Sequence, residues 1–238
     1  MSKLWVFSDS YGFLPASRFN EWKDKHWYRL LSDKLNCNED FKSVAHNGCS
    51  NEWMSYQIEN CFKEINYDDY IIVVVTDKER EWFFVDNAGL GNIYQNNINQ
   101  HVNHQQGIAL DYYKHFLTDN YQSELRFNWY LHYLNSKFNN YNIIILPGFE
   151  NMSTLPLPFK YNLNFEVYGS LFDICKSEII GNSDDSWHDW IFKKHKGIDP
   201  RVGHLSYQNH SILSEKLYDC FINKNNIDLN SRFYKEIL

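Results

Sequence analysis

The chain has 238 residues, 43% of them apolar and 18% aromatic, with a formal net charge of −7 and a pI of about 5.8. That length fits one large domain or two small ones, and the apolar content allows a packed core and argues against global disorder. The acidic balance and the lack of any Lys/Arg-rich stripe argue against a nucleic-acid partner.

The first apolar run, "KLWVF" (3–7), predicts a buried strand that ends on "SDSY" (8–11). A helix is expected over 20–35, where Trp27, Leu30, Leu31 and Leu35 fall near one face. "FKSVAH" (41–46) predicts a weaker strand, followed by the turn sequence "NGCSN" (47–51). A second helix, over 50–65, opens with Ser50 as its N-cap. "YIIVVV" (70–75) predicts a buried strand leading into "TDKER" (76–80). Residues 86–120 are polar and weakly periodic, and predict an insertion over the sheet, partly helical. A helix over 123–138 and a strand over 141–146 follow, then an irregular connection over 147–170 marked by Pro147, Pro156 and Pro158. The last helix is expected over 206–222, capped by Ser206.

Strands alternating with helices predict a three-layer α/β/α sandwich around a central, mainly parallel sheet. A single domain over 1–238 is expected, since neither a repeat nor a composition break divides the chain. Five cysteines without a CxxC pair read as reduced, buried thiols. "HVNH" (101–104) and "WHDW" (187–190) lack further ligands at a recognised spacing, so no metal or cofactor is expected. No run nears the roughly 18 apolar residues of a membrane span. The start of the chain lacks the long apolar region of a signal peptide, so a cytoplasmic location with no membrane partner is expected.

In parallel sheets ligands gather outside the carboxyl ends of the strands. Four places therefore bear on function. At the first, Asp9 and Ser10 form turn chemistry that also suits a nucleophile beside helix-start N–H groups. At the second, Asn47 and Gly48 make a β-to-α turn, and Gly48 can direct its N–H into a pocket. The third holds Thr76, a possible hydroxyl donor, then Asp77 and Arg80, which suit a charged turn or a polar substrate group. At the fourth, "DPRVGHLSYQNH" (199–210), His204 stands before a helix start with Asp199 upstream. A serine nucleophile needs such a base, and an acid to orient it.

In this order the blocks resemble the SGNH (GDSL-type) hydrolase family. Its pattern is Gly-Asp-Ser near the N-terminus, a Gly after the second strand, an Asn after the third, and Asp-x-x-His near the C-terminus. "SDSY" is similar to the first block with Ser8 in place of Gly, and "NGCSN" is similar to the second through Gly48. "VTDKER" falls at the third with Thr76 in place of Asn, and "DPRVGHLSYQNH" is similar to the fourth. The resemblance implies the flavodoxin-like fold of that family, Ser10 as nucleophile and His204 as general base. It further implies an oxyanion site built from Ser10, Gly48 and Thr76. Arg201 occupies the position of the family's acid, which leaves Asp199 as the nearest substitute and Asp189 as a fallback. Losing an oxyanion donor costs roughly 100- to 1,000-fold in rate.

The expected activity is hydrolysis of a small ester or an O-acetylated carbohydrate, with Asp9, Asn47, Asp77 and Arg80 near the substrate. Two other readings stay open: a binding or structural protein that kept the fold, and an O-acyltransferase using the same residues. The "T…R" after the third strand also resembles divergent SGNH-like proteins of bacteriophages, which implies a virion or host-glycan setting.

Overall fold

The structure, a computed structural model, describes residues 2–12, 24–37, 41–46, 48–84, 90–93, 120–149, 167–175, 205 and 207–234. Four strands, β1 (Leu4–Ser8), β2 (Phe41–Ala45), β3 (Tyr70–Val75) and β6 (Asn142–Pro147), form one sheet in the order β2-β1-β3-β6. Every pairing in it is parallel. The expected α/β sandwich around a parallel sheet is therefore present.

The strands are apolar on both sides because both sides are covered. Leu4, Val6, Ile72, Val74, Ile144 and Leu146 face one core, shared with helices α1 (Trp27–Lys34), α4 (Leu171–Cys175) and α5 (Tyr207–Asn223). The alternate residues Trp5, Phe7, Ile71, Val73, Ile143 and Ile145 face a second core. That core is shared with α2 (Asn51–Cys61) through Ile58, and with α3 (Asn120–Lys137) through Phe127, Leu131 and Leu134. The two-residue period of a strand sends neighbouring side chains to opposite faces, so a continuous run such as Ile71–Val75 feeds both layers. Strand β2 lies at the sheet edge and is half-buried, which explains its weaker apolar signal.

Helix α2 starts where its N-cap requires, with the Ser50 side chain accepting from Trp53 N at 3.3 Å. Helix α1 starts later than its sequence pattern predicts. His26 is extended (φ −70°, ψ 143°), and Trp27 N donates to His210 Nδ1 of α5 at 3.4 Å. The partner that receives the first helical N–H comes from 183 residues away, so no local pattern could reveal it. The expected N-cap Ser206 lies outside the described residues, as do "HVNH", "WHDW" and most of 86–120.

Two small sheets lie beside the main one. Strands β4 (Glu81–Phe84) and β5 (Leu90–Ile93) pair antiparallel, so the polar segment expected as an insertion begins inside a hairpin. The aromatic "EWFF" followed by the turn sequence "DNAG" carried that signal. Strands β7 (Val167–Tyr168) and β8 (Ile227–Asp228) pair in parallel. Among the described residues, no helix is long and apolar enough to cross a membrane.

Candidate functional site

The strand order reverses beside β1. The chain goes from β1 to β2 on one side, then returns with β3 on the other. Such a switch point leaves a crevice at the carboxyl ends of the two strands. The first ends in Ser8-Asp9-Ser10 and the second in Thr76-Asp77, so two of the four blocks meet here.

Asp9 is the centre of this arrangement and is fully buried. Its Oδ2 accepts from Arg80 Nη1 at 2.8 Å and from Thr76 Oγ1 at 3.2 Å. Its Oδ1 accepts from Tyr11 N at 3.2 Å, and its backbone carbonyl accepts from Gly12 N at 3.1 Å. The carboxylate thus fixes both the end of β3 and the turn that carries Ser10. Within Ser8-Asp9-Ser10 only Ser10 retains exposure, 8% against none for the other two.

The Ser8 hydroxyl is buried and has no hydrogen-bond partner among the described residues. A Cβ at Gly12 would come within 2.7 Å of Ser8 Cβ and 3.1 Å of Ser8 Oγ. The two positions are therefore complementary: a side chain at 8 requires none at 12.

Gly48 has φ +70°, the left-handed region that glycine adopts without strain. The turn that it makes is closed by Cys49 N donating to His46 O at 3.2 Å. Cys49 then leads into the Ser50 cap, and its Sγ donates to Ser8 O at 3.6 Å. Burial, reinforced by the negative charge of Asp9, pushes the Cys49 thiol well above its ordinary range, with Arg80 opposing. The thiol is a packing group here and not a nucleophile.

Asn51, to which sequence reasoning assigned no role, holds the end of β3. Its Nδ2 donates to Thr76 O at 3.1 Å and its Oδ1 accepts from Thr76 N at 3.0 Å. A side-chain amide replaces the strand partner that Thr76 lacks beyond the end of the sheet. The only signal was an Asn directly after a helix cap.

The expected oxyanion and substrate residues of the third block are occupied within the protein. The single hydroxyl proton of Thr76 goes to Asp9. Asp77 closes its own turn, its Oδ1 accepting from Glu79 N at 3.0 Å and its carbonyl from Arg80 N at 3.2 Å. Arg80 binds Asp9, lies 3.5 Å from Cys49 O through Nη1, and stacks its guanidinium 4.7 Å over the Phe149 ring. Phe149 follows β6 and also meets Tyr11 edge-on at 6.0 Å. Gly148 lets it do so: Gly148 N donates to Val75 O at 2.9 Å, and a Cβ there would meet that same oxygen at 2.7 Å.

Asn47, Asp199 and His204, with Asp189 and Arg201, lie outside the described residues. Leu205, the neighbour of His204, is buried in the same core as Tyr11, the neighbour of Ser10. The start of α5 reaches the same edge through His210 and Trp27, whose Nε1 donates to Tyr11 O at 2.9 Å. No group of three or more His, Cys, Asp or Glu among the described residues could hold a metal ion. No protein-family model matches the chain, and no curated protein is significantly similar to it.

Proposed function

We propose that the chain is a serine ester hydrolase of the SGNH type, acting on small acyl esters such as O-acetylated carbohydrates. The observation that carries the reading is the presentation of Ser10. It stands at the switch point between β1 and β3, on a turn held by a buried carboxylate, and keeps 8% exposure where Ser8 and Asp9 keep none.

In this reading His204 takes the Ser10 proton as Oγ bonds to the ester carbonyl carbon. Asp199 orients the imidazole, and the N–H groups of Ser10 and Gly48 receive the oxyanion. Collapse of the intermediate breaks the carbon–oxygen bond, and His204 returns the proton to the departing alcohol. Water, deprotonated by His204, then attacks the acyl-enzyme and releases the acid and Ser10.

A fluorophosphonate probe tests the reading directly. Wild-type protein should be labelled at Ser10 and should hydrolyse p-nitrophenyl acetate, while Ser10→Ala and His204→Ala should do neither. Activity that survives Ser10→Ala, or wild type that is neither labelled nor active, defeats it. One observation favours a second reading, a binding protein that retains the fold: the Thr76 hydroxyl proton is committed to Asp9, where an oxyanion site would use it. That alternative is supported if wild type binds a non-hydrolysable ester analogue yet is neither labelled nor active.

A further inference from the structure

Arg80 was expected to meet substrate, yet the contacts it makes with the described residues point inward to the framework of the site. Its Nη1 pairs with the fully buried Asp9 at 2.8 Å, and its own side chain is only 13% exposed. The same nitrogen approaches Cys49 O after β2, and the guanidinium lies over Phe149 after β6. Arg80 itself follows β3, and Asp9 follows β1. One planar cation, carried on the loop after β3, therefore touches the loops beyond the other three strands of the sheet.

We propose that Arg80 is a positioning residue that sets the Ser10 turn through Asp9. The chain of contacts is short: Arg80 Nη1 holds Asp9 Oδ2, and Asp9 Oδ1 holds Tyr11 N, immediately after Ser10. Thr76 supports the same oxygen as Arg80, and Asn51 fixes Thr76 by both backbone groups. Without Arg80 the buried carboxylate would keep only a hydroxyl and one amide for partners, and the turn would loosen. Arginine suits this place because its flat, delocalised cation pairs with the carboxylate and stacks on an aromatic ring at once. Lysine would keep the charge and lose the stacking.

The catalytic part of this inference rests on the hydrolase reading, but the clamp does not, and the experiment separates them. Amide hydrogen exchange at Tyr11 and Gly12 is compared in wild type, Arg80→Lys and Arg80→Met, with Ile72 in β3 as the core reference. Arg80→Met should exchange about 10- to 100-fold faster at both turn amides, from the loss of a charged hydrogen bond, with Ile72 changing less. Arg80→Lys should lie between, and serves as the informative variant if Arg80→Met does not fold. In parallel, kcat and KM are measured on a neutral and an anionic p-nitrophenyl ester. Positioning predicts that kcat falls alike on both esters while KM stays within about twofold, as expected when transition-state geometry is lost. An unchanged turn overturns the proposal. So does a KM that rises only for the anionic ester, which returns Arg80 to substrate binding. A loosened turn in a protein whose wild type is neither labelled nor active upholds the clamp and defeats the hydrolase reading.

Discussion

Gly12 and Ser8 give the sharpest test of the site's packing. In Gly12→Ala the new methyl would sit 2.7 Å from Ser8 Cβ and 3.1 Å from Ser8 Oγ. Carbon atoms in contact prefer about 3.5–4.0 Å, so roughly 1 Å of overlap must be relieved. Ser8 Cβ is rigidly attached to β1, which pairs on both sides, so it cannot swing away. Overpacking of this kind costs about 1–3 kcal/mol. The lower entropy of alanine in the unfolded chain offsets about 0.4–1 kcal/mol of it. The expected net loss is about 1–2 kcal/mol, or about 2–8 °C in Tm for a domain of this size. Ser8→Gly removes both close atoms, and the next described atom, Ala45 Cβ at 3.5 Å, is an ordinary contact. Adding Gly12→Ala to Ser8→Gly should therefore cost nothing, whereas adding it to Ser8→Ala, which keeps the Cβ, should still cost most of the penalty. Urea unfolding of the six combinations measures the coupling. If Gly12→Ala is equally costly with serine and with glycine at position 8, the steric argument is wrong. Because Gly12 N closes the turn onto Asp9 O, Gly12→Ala alone should also slow fluorophosphonate labelling of Ser10.

Three further outcomes follow from the geometry. Asp69, fully buried, accepts from Lys3 N at 2.8 Å, Trp5 Nε1 at 2.9 Å and Asn66 N at 2.9 Å. Asp69→Ala should cost about 3 kcal/mol in urea unfolding, since buried donors would lose a charged acceptor, and a loss below about 1 kcal/mol would contradict this. Hydrogen bonds from Lys137 and Tyr133 hold the Glu59 carboxyl below its ordinary range. A depressed carboxyl contributes stability above its unfolded value and loses it as pH falls through the folded one, so Glu59→Gln should flatten the acid limb of the stability curve. Burial pushes the Cys220 thiol up to about 12 and that of Cys49 well above its ordinary range. Iodoacetamide at pH 8 should modify Cys220 on the order of 1,000-fold more slowly in native than in unfolded protein, because the thiolate is the reacting form; mass spectrometry of the native protein reads this out.

The local physics of the strands and of one helix start was legible in the sequence. Continuous β-branched runs such as "YIIVVV" and "NIIIL" become central strands because they are apolar to both faces, and Ser50 caps α2 by a bond spanning only three residues. Alternation of strands and helices was enough to infer a parallel sheet covered on both sides. The strand ends to inspect followed from it, whereas Ser10 was singled out by its resemblance to the SGNH pattern. The tertiary structure alone decided what each polar group at those ends is for. Asp9 and Arg80 are 71 residues apart, Asn51 and Thr76 are 25 apart, and Trp27 and His210 are 183 apart. At such separations neither composition nor period carries information about pairing. A charged residue in a turn looks the same whether it faces substrate or a buried carboxylate. Only folding brings the carboxylate of Asp9 out of water and forces it to find its cation, and that requirement turned Arg80 inward.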